Sequence, residues 1–362
     1  MSTEKKRRRI KKEKNRRKIQ NNQSHLKIWK VFDIIKLNEA YEKVFSMIIK
    51  ILDKSTIGSD ISADPLRRFG EVYEFDSTSA SELLERVSDA DVIIVNKVKM
   101  TREVMKAAKR LRLICVYATG YDNIDLAAAR ELGIGVCNVP AYSTDSVLLF
   151  TVSKVLSLVS HLSDFSEFVR SGEYSASGAA NRLTPVYHEL RGMTWGIVGY
   201  GNIGRAVGDV ARAFGASVIV NKREPALGVR CVDIDTLCRE SDIITLHCPL
   251  NEETRGLIGS QQISLMKKGV VLVNESRGAV TDESAIAEAV LDGRIGGFGS
   301  DVYSVEPFGE EHPFFSIKEL SNVILTPHSA WAAYEARERC MSVVAENINS
   351  FICEKTLNRV DI

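Results

Sequence analysis

Residues 195–204 read Trp-Gly-Ile-Val-Gly-Tyr-Gly-Asn-Ile-Gly and contain the pattern G-x-G-x-x-G at Gly199, Gly201 and Gly204. An apolar strand precedes the pattern, apolar residues at helical spacing follow it, and a second strand is predicted at 217–221. In such a unit the first glycine permits a tight turn, the second lets the backbone approach a pyrophosphate, and the third allows close helix–strand packing. The helix N-terminus then offers N–H groups to phosphates. The stretch therefore predicts a dinucleotide-binding unit, and a glycine-rich turn without a ligand is the alternative.

Length and composition limit the class of protein. The 362 residues are enough for about two domains. The net charge of +1 hides a basic segment, because residues 1–18 hold eleven Lys or Arg and two Glu. The seven cysteines form no C-x-x-C pair and no apolar region follows the basic segment, so we expect a cytoplasmic protein without disulfides, metal site or secretory signal. The longest apolar run, 147–158, is broken by Thr151, Ser153 and Lys154, which argues against a membrane span.

The domain organisation follows from the pattern of strands and helices. Residues 1–46 lack a core-forming pattern and are predicted to be a basic extension, disordered or partly helical. A solvated tail without function is the preferred interpretation, and a nucleic-acid-binding arm is the alternative. After it, strands alternate with helices, which predicts an α/β fold of two doubly wound parallel-sheet (Rossmann-like) domains. The substrate or catalytic domain is predicted at 47–144 plus 332–362 and the dinucleotide-binding domain at 145–331, in which 164–192 are expected to be irregular.

Three residues that could carry chemistry stand at or just beyond predicted strand ends. Arg277 suits a bidentate grip on a carboxylate. His328 is a general-acid candidate, and Glu306 is a carboxylate that could pair with it. With a dinucleotide site they indicate carbonyl reduction, in which the nicotinamide gives hydride to a 2-keto acid and the histidine gives the proton. Taken singly, they could be a surface ion-pair residue, a loop carboxylate and a helix-capping histidine, and spacing alone does not show that they converge.

A fourth segment, residues 118–125, follows another predicted strand. Its backbone N–H groups at Thr119 and Gly120 could hold an anion, because open α/β sheets bind ligands at the carboxyl ends of their strands. The alternative, which we prefer for Asp122 and Asp125, is a plain turn and an N-cap.

From about Met47 to the C-terminus, the chain resembles the D-isomer-specific 2-hydroxyacid dehydrogenases, in particular the glycerate dehydrogenase/hydroxypyruvate reductase branch. The motifs that carry this resemblance are 118–125 (Ala-Thr-Gly-Tyr-Asp-Asn-Ile-Asp), 138–145 (Asn-Val-Pro-Ala-Tyr-Ser-Thr-Asp), the glycine loop, 274–278 (Asn-Glu-Ser-Arg-Gly), Asp301-Val302 with Glu306-Pro307, and 327–331 (Pro-His-Ser-Ala-Trp). The resemblance implies a homodimer with an active site in an interdomain cleft. It also implies reduction of hydroxypyruvate or glyoxylate to glycerate or glycolate with NAD or NADP.

The resemblance also implies roles for individual residues. It assigns Arg277 to the substrate carboxylate and carbonyl, His328 to acid/base work and Glu306 to the support of His328. The substrate-binding set is Thr119, Gly120, Arg277 and His328. The cofactor-binding set is Gly199, Gly201, Asn202, Ile203, Gly204, Lys222, Arg223, Cys248, Pro249, Thr254, Glu275, Ser276, Arg277 and Asp301, of which Asp301 would meet the nicotinamide amide.

The choice of cofactor depends on the end of the second strand of the dinucleotide unit. Lys222 stands where relatives usually carry an aspartate, and Arg223 follows it. An acidic residue there binds the ribose 2′-hydroxyl, whereas a cation suits a 2′-phosphate, so NADP is preferred to NAD. Glu224 is the alternative ribose partner. The alternative function is a dinucleotide-sensing binding protein similar to the transcriptional corepressors that share this fold, and turnover of hydroxypyruvate would separate the two.

Overall fold

The computed structural model describes residues 47–362, so the predictions for the basic extension lie outside the described residues. The described chain divides into two compact units, 47–140 with 340–362 and 141–339. The last helix begins in the second unit and ends in the first. The domain borders expected from the sequence lie four and eight residues from this division.

The first unit is built on a five-stranded parallel sheet with the order β2-β1-β3-β4-β5. Its elements are β1 (Met47–Ile51), α1 (Asp64–Arg67), β2 (Gly70–Glu74), α2 (Ala80–Val87), β3 (Val92–Val95), α3 (Arg102–Ala107), β4 (Leu113–Val116), α4 (Leu126–Leu132) and β5 (Gly135–Cys137). The central strands β3 and β4 are apolar and buried at every position, as expected when both faces of a parallel sheet are covered. Asp125 is the N-cap of α4 and accepts the Ala128 N–H at 2.9 Å, which confirms the capping interpretation of this residue.

The second unit is built on a seven-stranded parallel sheet with the order β12-β11-β10-β9-β6-β7-β8. Its strands are β6 (Thr194–Val198), β7 (Ser217–Asn221), β8 (Arg230–Cys231), β9 (Ile243–Leu246), β10 (Val270–Asn274), β11 (Ile295–Ser300) and β12 (Val323–Leu325). Its helices are α5 (Thr144–Val159), α6 (Leu162–Arg170), α7 (Glu173–Ser177), α8 (Asn202–Ala213), α9 (Ile234–Glu240), α10 (Ser260–Leu265) and α11 (Glu283–Leu291), and α12 (Tyr334–Ile352) runs on into the first unit. Two Rossmann-like units of parallel strands and helices confirm the predicted fold class.

The expectation that 164–192 are irregular is wrong for the first part of that segment, where α6 and α7 form. Phe165, Phe168 and Val169 recur at helical spacing in α6, a short amphipathic pattern that the sequence analysis missed. The Phe168 and Tyr174 rings meet edge-on at 6.3 Å and so join the two helices.

No single helix among residues 47–362 is both long and apolar enough to cross a membrane. The pair α5 and α6, bent by 68°, meets the length and composition criteria only when both helices are taken together.

Candidate active site

The glycine loop joins β6 to α8, and its three glycines meet different surroundings. Gly199 has φ +88°, and a Cβ there would come within 2.6 Å of the Cys248 backbone nitrogen. A Cβ on Gly204 would lie 2.1 Å from the Gly199 carbonyl oxygen. At Gly201, by contrast, a Cβ would meet nothing within 4 Å in the described structure. Two glycines are therefore required by the packing of the loop, whereas the third leaves open the space that a pyrophosphate needs.

Helix α8 begins immediately after this loop. Among the described residues, no side chain caps its N-terminus at Gly201, so the N–H groups of the first turn are available to an anion. Asn202 and Ile203 belong to that turn. The residues present therefore fit the phosphates of a dinucleotide.

A cavity of about 570 Å³ lies beside the loop and is rich in cationic side chains. Lys222, at the end of β7, lines it together with Arg205 and Arg212 of α8. Arg212 donates to the Tyr200 hydroxyl at 3.0 Å and to Asp209 at 2.9 Å, and both partners also line the cavity. Arg223 is exposed and is not among the lining residues. The two arginines were missed by the sequence analysis, although Arg205 directly follows the last glycine of the motif.

A tight turn after β10 presents Arg277. The Asn274 side chain organises this turn, because its Oδ1 accepts from the Ser276 N–H at 3.0 Å and from the Ser276 hydroxyl at 2.9 Å. Its Nδ2 donates to the Arg277 carbonyl at 3.0 Å. The Arg277 guanidinium is half-buried and donates to the Ser276 carbonyl at 2.8 Å.

Asp301 follows the neighbouring strand β11 and is buried. Its Oδ1 accepts from the Thr326 hydroxyl at 2.5 Å and from the Ser329 N–H at 3.0 Å, and its Oδ2 accepts from the Ala330 N–H at 2.8 Å. These bonds hold the segment after β12, which carries His328, against the end of β11.

His328 and Glu306 are in direct contact, with 2.7 Å between Nδ1 and Oε2. Their side chains are 27% and 30% exposed. The other carboxylate oxygen of Glu306 accepts the Tyr303 N–H at 3.1 Å. Because Nδ1 faces the carboxylate, Nε2 is the ring nitrogen left to exchange a proton with a substrate.

The backbone of His328 adopts a left-handed conformation, with φ +52°. Such a conformation costs free energy in a residue other than glycine and persists only where the surroundings enforce it. Here the His328 N–H donates to the Thr326 carbonyl at 3.0 Å, and the His328 carbonyl accepts from Trp331 Nε1 at 2.8 Å. The Trp331 ring also meets Tyr142 edge-on at 6.3 Å.

The loop that carries Glu306 is clamped to the start of α11 by Glu283. This carboxylate accepts the Ser304 N–H at 2.8 Å and contacts the Ser304 hydroxyl, and its Oε2 lies 2.9 Å from His312 Nε2. His312 Nδ1 accepts the Phe314 N–H at 3.2 Å, so the ring proton sits on Nε2 and is donated to Glu283. This cluster was not predicted from the sequence, because its members are separated along the chain and match no motif.

The remaining predicted positions are distributed over both units. Cys248 is buried, which raises the pKa of its thiol to about 11, and the Thr254 hydroxyl donates to the Pro249 carbonyl at 2.6 Å. In the first unit, Thr119 and Gly120 follow β4, and the Thr119 hydroxyl donates to the Val139 carbonyl at 3.0 Å. Within 47–362 no group of three or more His, Cys, Asp or Glu could hold a metal ion.

Strand order explains which residues come together in the second unit. Arg277, Asp301 and His328 follow β10, β11 and β12, which are neighbours in one parallel sheet. The carboxyl ends of parallel strands share one edge, and this is also the edge of the glycine loop after β6. The site can therefore hold a dinucleotide beside a guanidinium and a carboxylate-paired imidazole.

Comparisons with known proteins point to one family. The model of the family described as "D-isomer specific 2-hydroxyacid dehydrogenase, NAD binding domain" matches residues 152–330. Hydroxypyruvate reductase of Blautia hydrogenotrophica is 35% identical over 324 residues, which cover 87% of this chain and 100% of that protein. Glyoxylate reductase of Thermococcus litoralis is 39% identical over 277 residues, which cover 74% and 82%. The solved structure of an acyclic imino acid reductase (Bsp5) in complex with NADPH and D-Arg has a TM-score of 0.76 and 31% identity, covering 87% of this chain and 100% of that one. The chain belongs to the family of D-isomer-specific 2-hydroxyacid dehydrogenases.

Proposed function

We propose that this dehydrogenase reduces a small 2-keto acid, hydroxypyruvate or glyoxylate, to the D-2-hydroxy acid, glycerate or glycolate. The observation that carries the proposal is the 2.7 Å contact between His328 and Glu306 at the sheet edge that also presents Arg277. The names of the two similar reductases support this substrate class. When bound, the nicotinamide dinucleotide supplies the hydride.

Each side chain has a separate task in the proposed reaction. Arg277 binds the substrate carboxylate through charge-assisted hydrogen bonds and orients the carbonyl. His328 Nε2 donates the proton that the carbonyl oxygen requires when hydride arrives, and in the oxidation direction it accepts that proton. Glu306 fixes the ring orientation through Nδ1 and stabilises the imidazolium. The backbone N–H groups of Thr119 and Gly120, in the first unit, stay a predicted anion-binding feature.

For the cofactor, we propose NADP in preference to NAD. A 2′-phosphate carries negative charge, and Lys222 lines a cavity together with Arg205 and Arg212. The proposed cofactor contacts also include the glycine loop, Cys248, Pro249, Thr254, Ser276 and Asp301. The family description names NAD and the Bsp5 complex contains NADPH, so both dinucleotides belong in the assay.

A substrate panel with matched histidine variants tests the proposed function. Wild type is assayed with hydroxypyruvate, glyoxylate and an imino acid, each with NADPH and NADH. His328→Ala should reduce kcat for the keto acid by about 10²–10⁴-fold, the usual contribution of a positioned acid. His188→Ala, which removes an exposed histidine of the same unit, should retain activity. Tight dinucleotide binding without turnover of any keto acid would instead favour the dinucleotide-sensing alternative.

We propose a homodimer in which the segment 149–187 is covered. Several large apolar side chains are exposed there, including Leu183 at 79% and Val186 at 67%. Solvent-exposed apolar clusters of this kind mark interaction surfaces. Light scattering should give twice the mass of the chain, and Leu162→Glu with Val169→Glu should give the monomer mass.

We also propose that the enzyme acts in the cytoplasm. All seven cysteines are free, as is usual for proteins of reducing compartments. Fractionation of the source cells with an antibody against this chain tests the compartment.

A further inference from the structure

A buried ion pair joins helix α5 to the strand end that carries Arg277. Lys154 Nζ lies 2.6 Å from Glu275 Oε1, and the two side chains are only 3% and 1% exposed. Glu275 is the residue between Asn274, which ends β10, and Ser276. The other oxygen of its carboxylate, Oε2, is buried and has no hydrogen-bond partner in the described part of the chain.

Two glycines on strand β11 leave room for the Lys154 side chain to reach Glu275. Gly297 and Gly299 lie on β11, and Cβ atoms there would stand 3.1 Å from Leu158 Cβ and 3.2 Å from Lys154 Cδ. The absence of side chains at both glycines therefore lets α5 lie close to the sheet. The lysine ammonium also lies 5.4 Å from the centre of the Phe150 ring.

Glu275 shares its surroundings with a second carboxylate. Asn274 and Ser300 are register partners on β10 and β11, so Glu275 and Asp301 leave adjacent strands at the same level. Burial, opposed by Lys154 and reinforced by Asp301, raises the pKa of Glu275 to about 7. The charged groups around Glu275 are therefore Lys154 and Asp301, and the Tyr303 phenol is close enough to interact with both carboxylates.

The Lys154–Glu275 ion pair is not expected to add much to the stability of the fold by itself. Desolvation of two charges offsets their attraction, and replacing a buried ion pair by apolar residues of similar volume is often neutral or stabilising. What a buried ion pair does supply is a directional contact between two particular atoms. In some proteins such contacts select one packing arrangement among several of similar energy.

We propose that Lys154 and Glu275 are positioning residues for the reduction: their ion pair fixes the turn at Ser276 and Arg277 against helix α5, and so sets where the guanidinium meets the substrate carboxylate. This inference rests on the proposed role of Arg277. Asn274 already fixes the turn from within, through its bonds to Ser276 and Arg277. Lys154 fixes it from helix α5, which packs on β10 and β11.

The same helix also holds the segment after His328. The Ser146 hydroxyl, in the first turn of α5, donates to the Ala330 carbonyl at 2.5 Å and accepts the Ala333 N–H at 3.2 Å. One helix therefore contacts the segments next to both proposed functional residues. A shift of α5 on the sheet would alter the distance between Arg277 and His328. A misplacement of a catalytic or binding group by about 1 Å can lower the rate on the order of 10²-fold.

The test compares Lys154→Met, Glu275→Gln and the apolar double variant Lys154→Met/Glu275→Leu with wild type. Lys267→Met is the matched control, because Lys267 forms an ion pair with Asp242 at the other end of β10. Thermal transitions and steady-state kinetics are measured above the pKa of Glu275, at a temperature well below every transition. Single variants should lower the transition and raise the KM for the 2-keto acid by about 10- to 100-fold, which is more than any change in the dinucleotide KM.

The double variant separates positioning from stability. It should recover the wild-type transition, since no unpaired charge remains, while the keto-acid KM stays raised. A double variant with wild-type KM would overturn the proposal, as would single variants that fold and keep that KM, because the pair would then be purely structural. Arg277→Met distinguishes the two proposals. An unchanged keto-acid KM in this variant would refute the proposed role of Arg277. A KM that is raised in Arg277→Met but not in the Lys154 and Glu275 variants would refute only the positioning pair.

Discussion

Glu275 should make the stability of the second unit depend on pH in a direction opposite to that of most carboxylates. Its pKa is raised from an ordinary value of 4.5 to about 7, chiefly by burial. A carboxyl group with a higher pKa in the folded than in the unfolded chain binds its proton more tightly when folded. Its contribution to stability is therefore complete below the unfolded pKa and is lost as pH rises through the folded value.

The size of the effect follows from the two values. The two pKa values differ by about 2.5, and one pKa unit corresponds to about 1.4 kcal/mol. Ionisation of Glu275 should therefore lower the free energy of unfolding by about 3 kcal/mol from acid to alkaline pH. Most of the change falls between the two pKa values. Glu275→Gln keeps the shape of the side chain without the titration, so the difference in unfolding free energy between wild type and this variant should change by that amount.

Urea unfolding monitored by tryptophan fluorescence measures this difference from about pH 5 to about pH 8. Of the three tryptophans, Trp195 and Trp331 lie in the second unit, so a Trp29→Phe background reports that unit alone. Comparison within one background cancels the titration of groups that do not interact with Glu275. One of these is Asp361, whose pKa is lowered by Arg359 and a backbone N–H although burial opposes this. A difference that stays constant with pH, or that favours wild type increasingly as pH rises, would refute the reasoning.

Three further predictions concern the glycine loop, the cofactor preference and the backbone of His328. Gly204→Ala should destabilise the fold by about 1–3 kcal/mol through the clash with the Gly199 carbonyl, whereas Gly201→Ala should leave the thermal transition unchanged and weaken dinucleotide binding measured by calorimetry. Lys222→Asp with Arg223→Ala should shift the ratio of kcat/KM for NADPH to that for NADH by about 10-fold or more toward NADH, and negligible NADPH use by wild type would contradict the NADP proposal. Trp331→Phe removes the bond to the His328 carbonyl and should lower kcat by about 5- to 10-fold with the keto-acid KM unchanged; Trp195→Phe, which removes an indole bond to Thr245 in the core, should lower stability without this loss of kcat.

Much of the fold was predictable because its signals are local. The glycine loop, the apolar strand before it and the amphipathic helix after it lie within about twenty residues of sequence, and all three formed where the pattern indicated. The alternation of strands and helices fixed the class of both units for the same reason. Helices α6 and α7 were missed because each is short and carries only a few apolar residues, so that neighbouring structure decides their conformation.

The candidate site was predictable only at the level of single positions. Strand ends identified Arg277 and His328, and the family resemblance identified Asp301. Their adjacency depends on β10, β11 and β12 being neighbours in the sheet, which spacing does not reveal. Glu283 and His312 hold the loop of Glu306 across 29 residues of chain and match no motif.

Lys154 shows why such contacts escape a reading of sequence. In an apolar run it signals an interruption, and its natural interpretation is a side chain facing solvent. Its partner is 121 residues away, and the Lys154 side chain passes close to Gly299 on β11, where a Cβ would stand 3.2 Å from Lys154 Cδ. Neither the lysine, the glutamate nor the glycine is informative alone, since each has an ordinary role in its own segment. The three residues meet only in the folded chain, so the pair belongs to the packing of a helix on a sheet and not to any motif.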